Sequence, residues 1–277
     1  MSRTIRLLFI GDIVGKPGRE LTRRAIPPLI DRYSIDLVVA NVENAAGGFG
    51  VTREIGESIR EYGVDVMTSG NHIWDKKEVI DYIPTQPRLI RPANYPEGAP
   101  GHGHYEATTA LGDMVTVINI MGQVFMANLD NPFRIVLETI EKLRNRTPII
   151  LVDFHAETTS EKIAMGWYLN GKVTAVVGTH THVQTADNRV LSDGTAYITD
   201  VGMTGPHDSV IGVEKQAALS RFLNGMPARF ETATGDPRLN GVVITADSTT
   251  GLATDIERIS LSVQEIENLT SLNLSVS

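Results

Sequence analysis

The sequence predicts an α/β protein in which two mixed sheets pack face to face with helices outside, a four-layer αββα sandwich. Three observations predict it. Short apolar runs rich in Val and Ile recur along the 277 residues, each with Gly, Asn or Asp nearby, and read as strands. Helical stretches alternate with the early runs in the β-α-β-α-β order of an α/β domain, and the later part is strand-rich. Several early runs are almost continuously apolar, as a sheet covered on both faces requires.

The strand runs are residues 7–10, 37–40, 64–68, 115–120, 149–153, 173–177, 196–199, 242–245 and 256–263. Between them, residues 52–62 place Ile55, Ile59 and Tyr62 on one helical face and stop at Gly63. Asp75-Lys76-Lys77-Glu78 reads as a capping box before Val79-Ile80. Asn131-Pro132 supplies an N-cap and a first-turn proline, and Phe133, Val136, Leu137, Ile140 and Leu143 follow at helical spacing. Residues 161–169 and 214–223 are further helix candidates. With little helix after residue 190, antiparallel pairing is expected there. Residues 86–104, rich in Pro, Gly, Asn and His, are long for a connection and read as a lid or binding loop. No Pro/Gly/Ser linker and no repeat interrupts the chain. Residues 1–267 are therefore expected to form one domain, and the polar residues 268–277 a loosely held tail.

Composition narrows the function classes. Apolar residues at 42% and charged residues at 21% are globular values. The absence of cysteine excludes a disulfide scaffold, a Cys nucleophile and a thiolate metal site, and it fits a cytoplasmic protein. The apolar run at 7–10 is too short for a signal peptide, and no run approaches the ~18 residues of a membrane span. A net charge of −8 repels duplex nucleic acid, whose binding leans on Lys and Arg. There is no Gly-x-Ser-x-Gly elbow and no His-Glu-x-x-His. Gly47-Gly48-Phe49-Gly50 lacks the Lys-Ser/Thr of a P-loop and reads as a turn that lets backbone approach a site.

The candidate chemistry sits at strand ends, where open α/β sheets form their ligand crevice. Successive runs end in Gly11-Asp12, Glu43-Asn44, Ser69-Gly70-Asn71-His72, Phe154-His155 and Gly178-Thr179-His180-Thr181-His182. Singly these are weak signals: Asp12 could cap a helix, Gly70-Asn71 could be a turn, and His155 a core histidine. His180 and His182, two apart in an extended segment, would aim the same way. Together they form an all-N/O donor set suited to zinc, manganese and iron. Two divalent ions with two carboxylates and a hydroxide would leave the site positive, a local attraction for phosphate in an acidic protein. Elsewhere, His102-Gly103-His104 reads as a solvated tip or lid, His207-Asp208 as a plain loop, and Trp74 as core.

The order Asp…Asn-His…His…Gly-x-His-x-His resembles the calcineurin-like metallophosphoesterases over nearly the whole chain. The bacterial YmdB-like branch is the closer resemblance. It rests on Gly11-Asp12-Ile13-Val14-Gly15, Asn41-Val42-Glu43-Asn44-Ala45-Ala46-Gly47-Gly48-Phe49-Gly50, Gly70-Asn71-His72-Ile73-Trp74-Asp75, Gly178-Thr179-His180-Thr181-His182-Val183-Gln184-Thr185 and Asp200-Val201-Gly202-Met203-Thr204-Gly205-Pro206. Val14 stands where the broad superfamily has a histidine, and Glu43 where it has an aspartate; the branch shares both changes. The resemblance implies two divalent transition-metal ions, iron or manganese ahead of zinc. It implies Asp12, Glu43, Asn44 and His182 at the first, with Asn44 replacing the missing histidine, and Glu43, Asn71, His155 and His180 at the second. It implies His72 as proton donor. The implied reaction is hydrolysis of a small phosphodiester, a 2′,3′-cyclic nucleotide, by a metal-bridging hydroxide; separately, the length of the 86–104 loop makes it the expected holder of the base. A phosphomonoesterase or nuclease of the same fold, or a slow nucleotide-sensing regulator, are the alternatives. The expected partner is this substrate, with no duplex nucleic acid and no membrane; whether copies associate as a homo-oligomer is left open.

Overall fold

The structure is a computed structural model and describes residues 2–274. Its elements run β1 (Thr4–Ile10), β2 (Asp12–Ile13), α1 (Gly15–Tyr33), β3 (Leu37–Asn41), α2 (Arg53–Glu61), β4 (Val66–Thr68) and α3 (Val79–Tyr82). Next come β5 (His104–Thr108), β6 (Met114–Met121), α4 (Pro132–Leu143), β7 (Ile149–His155), α5 (Thr159–Tyr168), β8 (Ala175–Thr179), β9 (Arg189–Val190) and β10 (Ala196–Ile198). The last are β11 (Met203–Pro206), α6 (Lys215–Asn224), β12 (Pro237–Asp247), β13 (Ala253–Ser262) and α7 (Val263–Leu274).

Two mixed sheets result, as the sequence predicts. One has the order β2-β11-β12-β1-β3-β4 with β13 beside β12; the other has the order β5-β6-β7-β8-β10-β9. Parallel pairing joins β1 to β3, β3 to β4, β6 to β7 and β7 to β8. The late strands pair mostly antiparallel, with β12 between β1 and β13. Alternation along β1 shows the layering. Ile5, Leu7 and Phe9 join Val117 of β6 and Leu151 of β7 between the sheets, whereas Leu8 and Ile10 pack with Leu21, Ala25 and Ile26 of α1. On the far side, Ile118, Val152 and Val176 meet Val136 and Ile140 of α4 and Met165 of α5. These four layers bring the carboxyl ends of β1, β3, β4, β7 and β8 together.

Three elements depart from the sequence reading. Helix α1, the longest, has no counterpart there, because Pro27 and Pro28 interrupt its pattern. Its buried stripe of Gly18, Leu21, Thr22, Ala25, Ile26 and Leu29 on the sheet outweighs that propensity. Residues 268–274, expected within a loose tail, lie in α7, whose Ile266 belongs to the core; residues 275–277 fall outside the described residues. The 86–104 connection is not an open lid. Arg91 is buried with its guanidinium donating to the carbonyls of Pro92 (2.9 Å), Ala99 (3.1 Å) and Pro100 (3.2 Å), which pins the loop to itself.

Candidate active site

The strand ends deliver the candidate donors from both sheets. Asp12 is fully buried after β1, Glu43 and Asn44 follow β3, Asn71 and His72 follow β4, and His155 ends β7. His155 Nε2 lies 3.0 Å from Glu43 Oε1, 2.9 Å from Asn71 Oδ1 and 3.1 Å from His180 Nδ1. Gly70 makes this approach feasible: a Cβ there would stand 2.2 Å from the His155 ring and 2.5 Å from Glu43 Oε2. On the other flank, His182 Nε2 lies 3.9 Å from Asp12 Oδ1. Asn44 donates to the Gly48 carbonyl at 2.9 Å, on the glycine turn, and its Oδ1 is left over.

His180 and His182 are not aimed together by an extended segment. Both have left-handed backbones, φ 100° and 65°, and they splay. His180 turns to His155 and to Glu157 Oε2 at 3.0 Å; His182 turns to Asp12 and gives Nδ1 to the Ile211 carbonyl at 2.8 Å. Such backbones cost about 1–3 kcal/mol each and persist where the surroundings hold them. Here the holder is Asp200. Its carboxylate accepts Thr181 N–H at 3.2 Å, the Thr181 hydroxyl at 2.7 Å and Gly202 N–H at 2.8 Å, and pairs with Lys162 at 2.6 Å.

The electrostatics follow from burial and proximity. Burial alone would raise the Glu43 carboxyl; the charges of His155 and His72 outweigh it and bring it down to about 2. Burial raises Asp12. Burial, then the neighbouring His155, pushes His180 down to about 3, so its ring is neutral and one of its nitrogens offers a lone pair. Thr179 hydroxyl bridges His155 Nδ1 (2.9 Å) and Asp153 Oδ1 (2.7 Å), which aims Nε2 at the cluster. Asp12 Oδ1 and Asn44 Oδ1 are buried without hydrogen-bond partners, and Glu43 Oε1 has only the His155 ring beside it, at 3.0 Å. One ligand atom each from Glu43, His155 and His180 lie within 4.8 Å of one another. Buried oxygens left open among carboxylate, amide and imidazole groups make a donor set that a cation would complete.

His72 stands at the rim. Its N–H donates to Glu43 Oε2 at 2.9 Å, its Nδ1 lies 2.8 Å from Asp75 Oδ2, and its ring meets the Phe49 ring edge-on at 5.0 Å. Asp75 is therefore not part of a capping box: it holds His72, and Glu78 accepts Arg53 N–H at 2.8 Å instead. Above the cluster opens a cleft of about 270 Å³ that takes in Glu43, Asn44, His72, His180 and His182, with walls from Phe49, Ile211 and Phe230. The 86–104 loop, Trp74 and His207 do not line it. His104 begins β5, and His207 is tied to Gly205 O and Asn240. Sequence reasoning missed Glu157, Lys162 and Ile211, and it named Asp200 only within a motif string, without a role. Glu157, two residues past His155, carried a spacing signal; a lone Lys on a helix and an Ile in a loop carried none.

A two-sheet αββα sandwich that gathers carboxylate, amide and imidazole groups at its strand ends has the architecture of the metallophosphoesterase class. Within that class, a family model described as YmdB-like protein matches residues 8–259, and the chain belongs to that family. A 2′,3′-cyclic-nucleotide 2′-phosphodiesterase of Bacillus subtilis (strain 168) is 51% identical over 255 residues, covering 92% of this chain and 96% of its own. A hypothetical protein from Thermus thermophilus has a crystal structure similar at TM-score 0.87 and 41% identity, over 93% of this chain and 99% of that one. A novel phosphatase from Mycoplasma pneumoniae matches at TM-score 0.89 and 34% identity, over 97% and 100%. Among the described residues no helix is long and apolar enough to cross a membrane.

Proposed function

We propose that the chain is a metal-dependent phosphodiesterase acting on a small 2′,3′-cyclic nucleotide. One observation carries the reading. Buried oxygens of Asp12 and Asn44 lack partners beneath a cleft, where the rings of His155 and His180 gather at Glu43 and that of His182 faces Asp12. Each unpartnered buried polar group costs about 1–3 kcal/mol, a penalty that a bound cation removes. The donor chemistry fits iron, manganese or zinc. Asp12, Glu43, Asn44 and His182 would hold one ion, and Glu43, Asn71, His155 and His180 the other. When bound, such a pair supplies a water nucleophile at neutral pH and offsets phosphoryl charge.

The protein's own residues do the rest. Asp75 occupies Nδ1 of His72, so Nε2 is the atom that delivers a proton to the departing ribose oxygen. The His72 N–H on Glu43 ties this acid to the buried carboxylate, and the Phe49 ring limits its swing. The substrate class is supported by the name of the Bacillus subtilis relative, by a cleft of mononucleotide size, and by a net charge of −8 that disfavours duplexes. The test joins elemental analysis of protein purified without chelator to a panel of 2′,3′-cyclic and 3′,5′-cyclic nucleotides, a phosphomonoester and a DNA duplex. Close to two transition-metal ions per chain and the highest kcat/KM on the 2′,3′-cyclic isomer are expected. A duplex or monoester as best substrate returns the function to the nuclease or phosphomonoesterase alternative.

A further inference from the structure

The turn beside the cleft is built against its own residue preferences. Val210 N–H donates to Val213 O at 2.9 Å and Val213 N–H to Val210 O at 3.0 Å, closing a two-residue hairpin over Ile211 and Gly212. Both central residues have positive φ, 48° and 99°, the pattern of a type I′ turn. Gly212 suits its place. The place before it is one for Asn, Asp or Gly, and a β-branched residue there is a backbone outlier. Burial does not offset the strain, because Ile211 remains 52% exposed.

The Ile211 carbonyl accounts for the turn's conformation and not for the side chain. That carbonyl accepts His182 Nδ1–H at 2.8 Å and so leaves Nε2 facing Asp12. Asparagine would keep the same carbonyl and relax the turn. What asparagine would not keep is an apolar surface on the cleft, where Ile211 is joined by Phe49 and Phe230.

We propose that Ile211 is a specificity residue whose side chain, with Phe49 and Phe230, forms an apolar subsite for the planar aromatic base of a nucleotide whose phosphate sits at the buried donor cluster. The proposal rests on the phosphodiesterase reading and adds the element that selects among phosphodiesters. An apolar wall without a fixed donor–acceptor pattern reads the area of a base rather than its edge. Purines are therefore held more tightly than pyrimidines.

The test is Ile211→Asn in the metal-loaded enzyme. Two substrates are compared: a 2′,3′-cyclic purine nucleotide and methyl riboside 2′,3′-cyclic phosphate, which has no base. The variant is expected to melt at or above the wild-type temperature with wild-type metal content. Its preference for the nucleotide over the base-free substrate, as a ratio of kcat/KM, should fall roughly tenfold, the scale of one lost apolar pocket contact, and mainly through KM. Equal loss on both substrates would assign Ile211 to His182 alone, and an unchanged preference or a lower melting temperature would also overturn the proposal. Calorimetric titration with a purine nucleoside 3′-monophosphate, the product of cleavage at the 2′ ester, separates the two readings. If neither protein turns over either substrate, the phosphodiesterase reading fails, and a weaker affinity in Ile211→Asn still upholds the subsite whereas equal affinities sink it.

Discussion

Two buried clusters of charge sit side by side in this fold and are built on opposite plans. Around Asp200 both carboxylate oxygens are partnered: Lys162, at 2.6 Å and 1% exposed like its partner, takes one together with Thr181, and Gly202 N–H takes the other. Around Glu43 the charges are buried as deeply, with His155 at 3.0 Å, yet the neighbouring oxygens Asp12 Oδ1 and Asn44 Oδ1 have no partner and two imidazole nitrogens face each other at 3.1 Å. Burial and charge are common to both. Unfinished coordination is what separates a site from a structural pair. The finished cluster also builds the unfinished one, since Asp200 grips Thr181 between His180 and His182.

The sharpest way to break this contrast is to delete a carboxylate from the open cluster. Glu43→Ala should abolish metal retention and phosphodiesterase activity, because this carboxylate adjoins both flanks. In chelated protein its denaturant midpoint should also fall, because the variant loses the His155 contact at 3.0 Å and the His72 N–H bond at 2.9 Å, so the loss of metal rather than the midpoint is the diagnostic readout. A variant with its full metal content would end the assignment of Glu43 to both ions.

The closed cluster should answer in the opposite way. Lys162→Met leaves Asp200 buried and uncompensated, and stability should fall by about 3–5 kcal/mol, measured by denaturant unfolding of chelated protein. No loss of stability would mean that the pair is not structural.

His72→Ala tests the rim. It should retain metal and lose roughly 10²–10⁴-fold in kcat on a cyclic nucleotide, with a smaller loss on a nitrophenyl diester whose leaving group needs little protonation. Equal losses on both substrates would remove His72 from the acid role.

The contrast also marks what the sequence could reveal. The strand runs were legible because both faces of β1, β3 and β7 are covered where residues 7–10, 37–40 and 149–152 are apolar without alternation. The donors were legible as polar punctuation after such runs, and the structure brings Asp12, Glu43, Asn44, Asn71, His155, His180, His182 and the rim residue His72 to one cleft and its floor. The splay of His180 and His182 was not legible, because positive φ at a histidine is imposed by Asp200 from another part of the chain. Lys162 on α5 looks like any helical lysine until the fold buries it. Helix α1 was hidden by Pro27 and Pro28, whose local preference the packing of Leu21, Ile26 and Leu29 overrides.

The smallest effect examines the joint between the clusters. Thr181→Val removes the hydroxyl that Asp200 accepts at 2.7 Å and leaves the Thr181 N–H bond at 3.2 Å in place. One hydrogen bond of this kind contributes about 0.5–1.5 kcal/mol, with up to about 3 to a charged partner, so the fold should survive. The backbone that splays the two histidines would be held less firmly. Loss of such an outer partner typically weakens metal binding about 10–100-fold, and the retained N–H places this variant near the lower end. Manganese titration of chelated protein measures it, and Thr181→Ser, which restores the hydroxyl, should recover most of the affinity. If Thr181→Val unfolds earlier while binding manganese as the wild type does, Asp200 supports the fold alone and the two clusters are neighbours without a mechanical link.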